Sequence, residues 1–120
     1  MVKLTDAEKG LFGTDARILF QGTDQTVYQL GGADGRAKMT RYGGFPGMSL
    51  TYNDVHDADY HLNRAPVGDL IEINHCQEGR MECQYQDSFY YLTPVDLSIS
   101  RKDTAPYCSS FPTGHYHGVT

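Results

Sequence analysis

Five histidines are the first side chains in this 120-residue chain that could do chemistry, because a neutral imidazole is a common metal ligand. His115 and His117 are two residues apart, so on a β-strand both would point to the same side of a sheet. A third ligand such as His75, His56 or Glu72 would complete an open metal site. The competing interpretation, which we retain, is that these histidines cap strands or line a pocket without a metal. No cofactor is therefore predicted.

Charged and aromatic side chains on predicted strands form a second group of candidates. Glu72, Glu82 and Arg80 either face solvent or line a polar pocket, since a buried charge is costly unless it is paired. We assign Arg80 to the solvent face and leave both alternatives open for Glu72. The tyrosines suit a ligand cavity and a core equally well. The predicted ligand-binding residues are Glu72, His75, Glu82, Tyr90, His115 and His117; if a metal were bound, His75, His115 and His117 would hold it.

No pattern of nucleophilic catalysis is found in the sequence. The serines lack the G-x-S-x-G context of a strained strand-to-helix turn. Cys76 follows His75 directly, and neighbouring strand residues face opposite sides, so the two cannot act as a pair. The glycines at 43, 44 and 47 are not followed by the Lys-Ser/Thr of a phosphate-binding loop. We predict no catalytic residue and no enzymatic activity.

The charge balance argues against a nucleic-acid surface. Fifteen acidic and ten basic residues give a formal charge of −5, which repels a phosphate backbone. The three cysteines form no C-x-x-C pair, which favours reduced thiols over a disulfide framework. The first residues have no apolar stretch typical of a signal peptide. We therefore expect a cytoplasmic protein without a membrane partner.

Most of the chain has the pattern of short strands. Thr5 to Glu8 is typical of a helix capping box, and Gly10 would end that helix. Strands are predicted at residues 26–30, 36–42, 48–52, 89–92 and 97–99. The clearest expected hairpin joins residues 70–76 to 80–85 across a turn at 77–79. Short strands at close spacing predict an all-β sandwich or barrel with a short N-terminal helix.

The predicted organisation is an N-terminal arm with a short helix at residues 1–25, followed by one domain at 26–120. The sequence ends inside a predicted strand, from which we expect a longer parent protein. Residues 1–13 are the segment that we expect to move when an effector binds.

Four ordered segments carry a resemblance to a known family. They are residues 69–76 (DLIEINHC), 78–82 (EGRME), 91–97 (YLTPVDL) and 109–118 (SSFPTGHYHG), with a looser match at 42–48 (YGGFPGM) and 53–56 (NDVH). Together they resemble the N-terminal sensing domain of AraC/XylS-type transcription regulators. The resemblance implies a cupin-like jelly-roll or partial barrel that binds a small effector or dimerises. It also implies that DNA is bound only by a helix-turn-helix domain absent from this chain.

Two details qualify this resemblance. Cupin-like domains commonly have Pro-Gly-Asp where this chain has Pro94-Val95-Asp96, and a β-branched residue disfavours a positive φ, so we expect a different turn there. Residues 112–117 are similar to the second cupin motif, P-x-G-x-x-H, whereas the H-x-H and glutamate of the first motif are absent around residues 71–82. The alternative function is a small metal-dependent cupin enzyme, an isomerase or dioxygenase.

Overall fold

A computed structural model of the chain describes residues 4–13, 15–31, 35–65, 70–85, 87–101 and 106–120. Their secondary structure is almost entirely β. The elements are α1 (Asp6–Phe12), β1 (Arg17–Gln21), β2 (Gln25–Leu30), β3 (Ala37–Phe45), β4 (Met48–Val55), β5 (His61–Arg64), β6 (Ile71–Gly79), β7 (Met81–Tyr85), β8 (Ser88–Leu92), β9 (Leu97–Arg101), β10 (Tyr107–Ser110) and β11 (Tyr116–Val119).

The strands form two antiparallel sheets that face each other. The seven-stranded sheet has the order β1-β2-β3-β4-β11-β6-β9, and the four-stranded sheet has the order β5-β10-β7-β8. Alternate side chains of both sheets point into the space between them, where aromatic and aliphatic residues such as Tyr28, Leu62, Phe111 and Tyr116 are buried. The predicted all-β partial barrel with a short helix is confirmed. No helix in the described part of the chain is long and apolar enough to cross a membrane.

Strand β11 occupies the middle of the larger sheet. Its residues pair with β4 on one side, from Tyr116↔Val55 to Val119↔Tyr52. On the other side they pair with β6, ending at Val119↔His75. Thr51 and Thr120 exchange two more backbone hydrogen bonds, of 2.7 and 2.8 Å. Beyond Thr120, the described residues place no strand between the first residues of β4 and the first residues of β6, so an open slot separates them.

Helix α1 begins with the predicted capping box and packs on the barrel. The Thr5 hydroxyl accepts a hydrogen bond from the Glu8 amide, and the Glu8 carboxylate accepts one from the Thr5 amide. Phe12 is buried and stacks on Tyr28, with ring centroids 4.2 Å apart. The Tyr28 hydroxyl donates to Glu8. The boundary predicted after residue 25 stays a prediction, but β1 and β2 are neighbouring strands of the same sheet.

The predicted hairpin between residues 70–76 and 80–85 is wrong. β6 continues to Gly79 and pairs with β9 and β11, whereas β7 belongs to the other sheet and pairs with β8 and β10. Gly79 has a φ of +81°, and a Cβ there would lie 1.8 Å from the carbonyl oxygen of His115. This close approach lets the chain cross from one sheet to the other where a hairpin would have turned it back.

The turn between β8 and β9 also differs from the sequence expectation. Val95 adopts a φ of +72°, so the turn keeps the positive φ for which glycine is usual. Backbone hydrogen bonds hold it there: Val95 donates to Cys76, and Asp96 donates to Thr93, both at 2.9 Å. The Asp96 carboxylate accepts from the Thr93 amide at 2.9 Å. The surrounding contacts therefore impose a backbone conformation that valine alone disfavours.

Candidate functional site

A polar cluster lies in the space between the two sheets. Strand alternation turns Glu72 and Asn74 of β6 inward, and both are buried. From the opposite sheet, Arg64 of β5 donates to the Glu72 carboxylate at 2.9 Å, and the Tyr107 hydroxyl of β10 donates to the same oxygen at 2.9 Å. Arg64 also donates to Tyr107 at 3.1 Å. These contacts tie the two sheets together. We call Arg64, Glu72, Asn74 and Tyr107 the interior cluster.

The interior cluster extends along the larger sheet to the end of β11. The Asn74 amide donates to the second Glu72 oxygen at 2.8 Å, while its own carbonyl accepts from the Thr120 hydroxyl at 2.7 Å. Asn53 of β4 donates to that same hydroxyl at 2.8 Å. Both oxygens of Glu72 are thus occupied by donors of the protein. An ionised carboxylate is favoured in such surroundings, because each donor stabilises the negative charge.

The electrostatics of the cluster match a buried ion pair. Burial by itself would lower the pKa of Arg64, but the charge of Glu72 and the interactions with Tyr107 and Tyr60 together raise this pKa above its usual value. Burial is the main reason why the pKa of Tyr107 is raised, so its hydroxyl stays a donor. In the part of the chain that the structure describes, the buried Nε of Arg64 has no hydrogen-bond partner. A buried guanidinium N–H without an acceptor is costly, so this atom lowers the net stability that the ion pair contributes.

A cleft of about 760 Å³ opens onto this cluster. It follows the slot between β4 and β6, with Arg64 and Glu72 at its inner end. Apolar side chains form much of the remaining wall; they include Leu11, Phe12, Leu50, Ile71 and Ile73. The arrangement combines an apolar wall with a few polar groups at one end, which is the usual composition of a small-molecule site.

The structure separates the predicted ligand-binding residues into four places, of which the outer face of the larger sheet holds His115 and His117. Glu72 and His75 line the cleft. Tyr90 is half-buried and packs against the hydrophobic core. Glu82 lies away from the cleft, where its carboxylate pairs with Arg80 at 2.8 Å, and Arg80 stacks over the ring of Tyr91. The contact of Arg80 with the Tyr91 ring and the ion pair between Arg80 and Glu82 therefore occupy the charges of both side chains.

His115 and His117 come together on the outer face of the larger sheet. Their neighbour is His56, which follows β4, and one ring nitrogen from each of the three lies within 4.8 Å of the others. His75 pairs with Val119 further along β11 and is not in this group. Asp54 and Glu78 contact the imidazoles at 2.6 to 3.3 Å. We call His56, His115, His117, Asp54 and Glu78 the outer histidine cluster.

Sequence reasoning missed the two partners of Glu72 from the smaller sheet. Arg64 lies on a strand of four residues, and Tyr107 lies on another, and neither strand was predicted. Asp54 was missed as well, because the apolar residues Met48, Leu50 and Tyr52 favoured the opposite face of β4 as the buried one. Thr51, Asn53 and Val55 are buried, so the alternate positions Tyr52, Asp54 and His56 face outward and lie beside His117.

No protein-family model and no curated protein matches the sequence. Solved structures do match. An HTH_3-family transcriptional regulator from Vibrio cholerae is 17% identical with a TM-score of 0.57; the match covers 68% of this chain and 48% of that one. The Cupin_2 domain of an XRE-family regulator from Enterobacter cloacae is 14% identical with a TM-score of 0.56, covering 70% and 94%. KdgF from Halomonas sp. is 8% identical with a TM-score of 0.60, covering 81% and 82%.

These identities are low, so the matches concern the fold. The chain spans about half of the Vibrio regulator, at 48%, and nearly all of the isolated Enterobacter domain, at 94%. The two facing sheets, the match to a Cupin_2 domain and the similar match to KdgF agree with one another. The chain therefore has a cupin-like fold, of a type that also occurs in bacterial transcription regulators.

Proposed function

We propose that this chain is the effector-sensing domain of an AraC/XylS-type transcription regulator that works in the cytoplasm. A small molecule binds against the interior cluster and changes how the domain positions a DNA-binding domain elsewhere in the parent protein. The chain itself is not an enzyme and contacts no membrane. It forms homodimers through surfaces outside the cleft. The effector shifts the output by the difference in its affinity for two arrangements of the domain.

The observation that carries this proposal is the lining of the cleft, which combines Arg64 and Glu72 with apolar side chains. Glu72 and Tyr107 hold Arg64 in place, so its guanidinium is presented from a fixed position. The chemical class that fits is a small molecule with an oxygen acceptor at one end and an apolar body. Its oxygen would accept from Arg64, and its body would lie against Phe12 and Leu50.

Helix α1 lines the cleft with Ala7, Leu11 and Phe12, so an effector would contact it directly. A ligand enclosed there would be removed from water, which strengthens its hydrogen bonds to the guanidinium of Arg64.

Two further observations support a regulatory role. The matched structures include a whole regulator and the isolated cupin domain of another regulator. The net charge of −5 disfavours direct DNA contact by this domain, which agrees with a separate DNA-binding domain.

Glu72 does not resemble a free metal ligand, since both of its oxygens already accept hydrogen bonds from Arg64, Tyr107 and Asn74. We therefore favour the regulator over a cupin enzyme that uses an interior metal.

The test is a thermal-shift screen with small hydroxy acids, sugar acids and neutral monosaccharides. At least one compound is expected to raise the melting temperature of the wild-type protein. Arg64→Lys keeps a cation beside Glu72 but lacks the planar guanidinium, so the same compound is expected to lose its effect. Arg80→Lys changes an arginine outside the cleft and is the matched control.

A compound that stabilises wild type and Arg64→Lys equally would show that this guanidinium does not recognise the effector. The proposed regulatory role is tested separately, with the full reading frame of the gene. The reading frame is expected to continue for about one further domain length and to encode two helix-turn-helix motifs. The stabilising compound should then change the affinity of the full-length protein for its promoter DNA. A stop codon soon after residue 120 would contradict the proposal.

A further inference from the structure

The outer histidine cluster is assembled from three separate segments of the chain. His117 lies on β11, and its strand neighbours are Asp54 on β4 and Glu78 on β6. His56 follows β4, and His115 precedes β11. The three imidazoles are between two-fifths and half exposed, so an ion can reach them from solvent. The cluster lies on the opposite face of the sheet from Glu72 and Asn74.

The spacing of the ring nitrogens of His56 and His115 fits a tetrahedral ion. The Nδ1 atoms of His56 and His115 face each other at 3.3 Å. Two imidazole nitrogens bound to one zinc ion at about 2.05 Å and at the tetrahedral angle are separated by about 3.3 Å. Their rings are tilted by 45°, with centroids 4.9 Å apart, so the two rings are not stacked face to face. His117 completes the group of three, with a ring nitrogen within 4.8 Å of each of the others.

The two carboxylates hold the imidazoles in these orientations. Asp54 contacts Nε2 of His56 at 2.6 Å and Nε2 of His117 at 2.9 Å. Glu78 contacts Nε2 of His115 at 2.9 Å and Nδ1 of His117 at 3.3 Å, so an ion bound at Nδ1 of His117 would take the place of Glu78 there. Carboxylates bound to the far nitrogen of an imidazole are a common second layer of zinc sites, because they fix the tautomer and raise the basicity of the ligand.

We propose that His56, His115 and His117 form a binding site for a divalent transition metal ion, with Zn²⁺ as the best fit. Three neutral imidazoles and two carboxylates carry two negative charges, which a divalent cation neutralises. Imidazole donors favour zinc, copper and nickel over magnesium and calcium, which prefer oxygen. The three-histidine set leaves a fourth position open. Asp54 and His56 also line a neighbouring cleft of about 370 Å³ with Arg36 and Lys38, so an anion or water can reach that position.

The test measures binding of Zn²⁺ alone to the tag-free chain by isothermal titration calorimetry. One ion per chain is expected to bind, and Mg²⁺ is expected not to compete. His117→Ala and His56→Ala are each expected to weaken binding by at least tenfold, as loss of one of three ligands should. His61→Ala is the matched control, since His61 is exposed on β5 and outside the cluster. Circular dichroism of each variant checks that it is folded.

Cobalt provides an independent readout of the ligand type. Co²⁺ bound by nitrogen and oxygen gives weak visible bands without the intense near-ultraviolet band of a cobalt–thiolate bond. That band would point to the cysteines and contradict the proposal. Zinc binding that His117→Ala and His56→Ala leave unchanged, or no zinc binding at all, would overturn it as well. The site does not depend on the proposed effector, so failure of one proposal leaves the other intact.

Discussion

The interior cluster and the outer histidine cluster lie on opposite sides of the larger sheet but balance their charges differently. Inside, Glu72 meets a cation that the protein itself supplies, and both partners are almost fully buried, with side chains 5% and 9% exposed. Outside, Asp54 and Glu78 contact imidazoles, and every side chain of these contacts is at least 39% exposed. A buried carboxylate requires a permanent partner, whereas an exposed one can exchange its partner with solvent.

Because of this difference, the two faces of the larger sheet have different roles. The interior cluster holds the sheets in register and offers a fixed donor, because its groups cannot change charge without a large loss of stability. The outer cluster contributes little to the metal-free fold but can take up an ion. Mutations should therefore cost most stability inside, and ligand-dependent stability should be largest outside.

The largest expected effect is the loss of the buried cation. Arg64→Met leaves Glu72 without its charged partner, and we expect the free energy of unfolding to fall by about 3–5 kcal/mol in urea denaturation. Adding Glu72→Leu should restore much of that loss, since no lone charge then remains. If Arg64→Met costs no more than an exposed substitution, the interior cluster is not the buried ion pair described above.

Zinc binding should have the next largest effect on the free energy of unfolding, and this effect should depend on the outer histidine cluster. At a hundred times its dissociation constant, an ion that binds only the folded state stabilises it by about 2.7 kcal/mol. We expect such a rise in the free energy of unfolding for wild type and for Tyr107→Phe, but not for His117→Ala. An equal rise for His117→Ala would mean that the metal binds elsewhere.

Tyr107→Phe tests the interior with a smaller change. The variant removes one hydrogen bond to a buried carboxylate and keeps the ring, so a loss of about 2 kcal/mol is expected in urea denaturation. Tyr91→Phe is the matched control, because Tyr91 is exposed on β8 and outside the interior cluster. Similar losses for both variants would remove the distinction between the two environments.

The smallest expected effect is the loss of stability at acidic pH to which Glu78 contributes. The folded protein lowers the pKa of Glu78, mainly through the hydrogen bond from His115 and then through the charge of His117. A lowered pKa stabilises the fold above the unfolded value of about 4.3, and this stabilisation is lost as the pH falls through the lower folded value. The melting temperature of metal-free wild type should therefore drop more steeply below about pH 5 than that of Glu78→Gln. Parallel curves would contradict this contribution.

Local sequence signals predicted much of the fold. The capping box at Thr5, the alternation in β4 and β6 and the cupin-like resemblance led to the all-β partial barrel with its short helix. The pairing of β6 with β9 and β11 was not predictable in this way, because alternation shows which residues share a face but not which strands are neighbours. Gly79 at the end of β6 is in tight contact with His115, which is distant in the sequence. A contact of this kind leaves no local sequence signal.

The candidate sites were less predictable from local sequence signals than the fold was. Glu72 was identified as a charge that needs a partner, but Arg64 and Tyr107 lie on four-residue strands without a clear periodic signal. The same-side arrangement of His115 and His117 followed from their spacing. The choice of His56 over His75 as their neighbour required the register of β4 against β11, which only the folded sheet provides.

The central position of β11 also affects how the chain folds. Contacts between this strand and β4 join residues 63 positions apart, as in the pair His117 and Asp54. β1 to β4 pair with their sequence neighbours and can form early, whereas the larger sheet is completed only when β11 inserts between β4 and β6. Long-range strand pairing is slow, typically taking milliseconds to seconds. During synthesis, β4 and β6 must therefore wait with exposed edges until residues 116–119 have left the ribosome, and a chaperone that covers strand edges would be most useful in that interval.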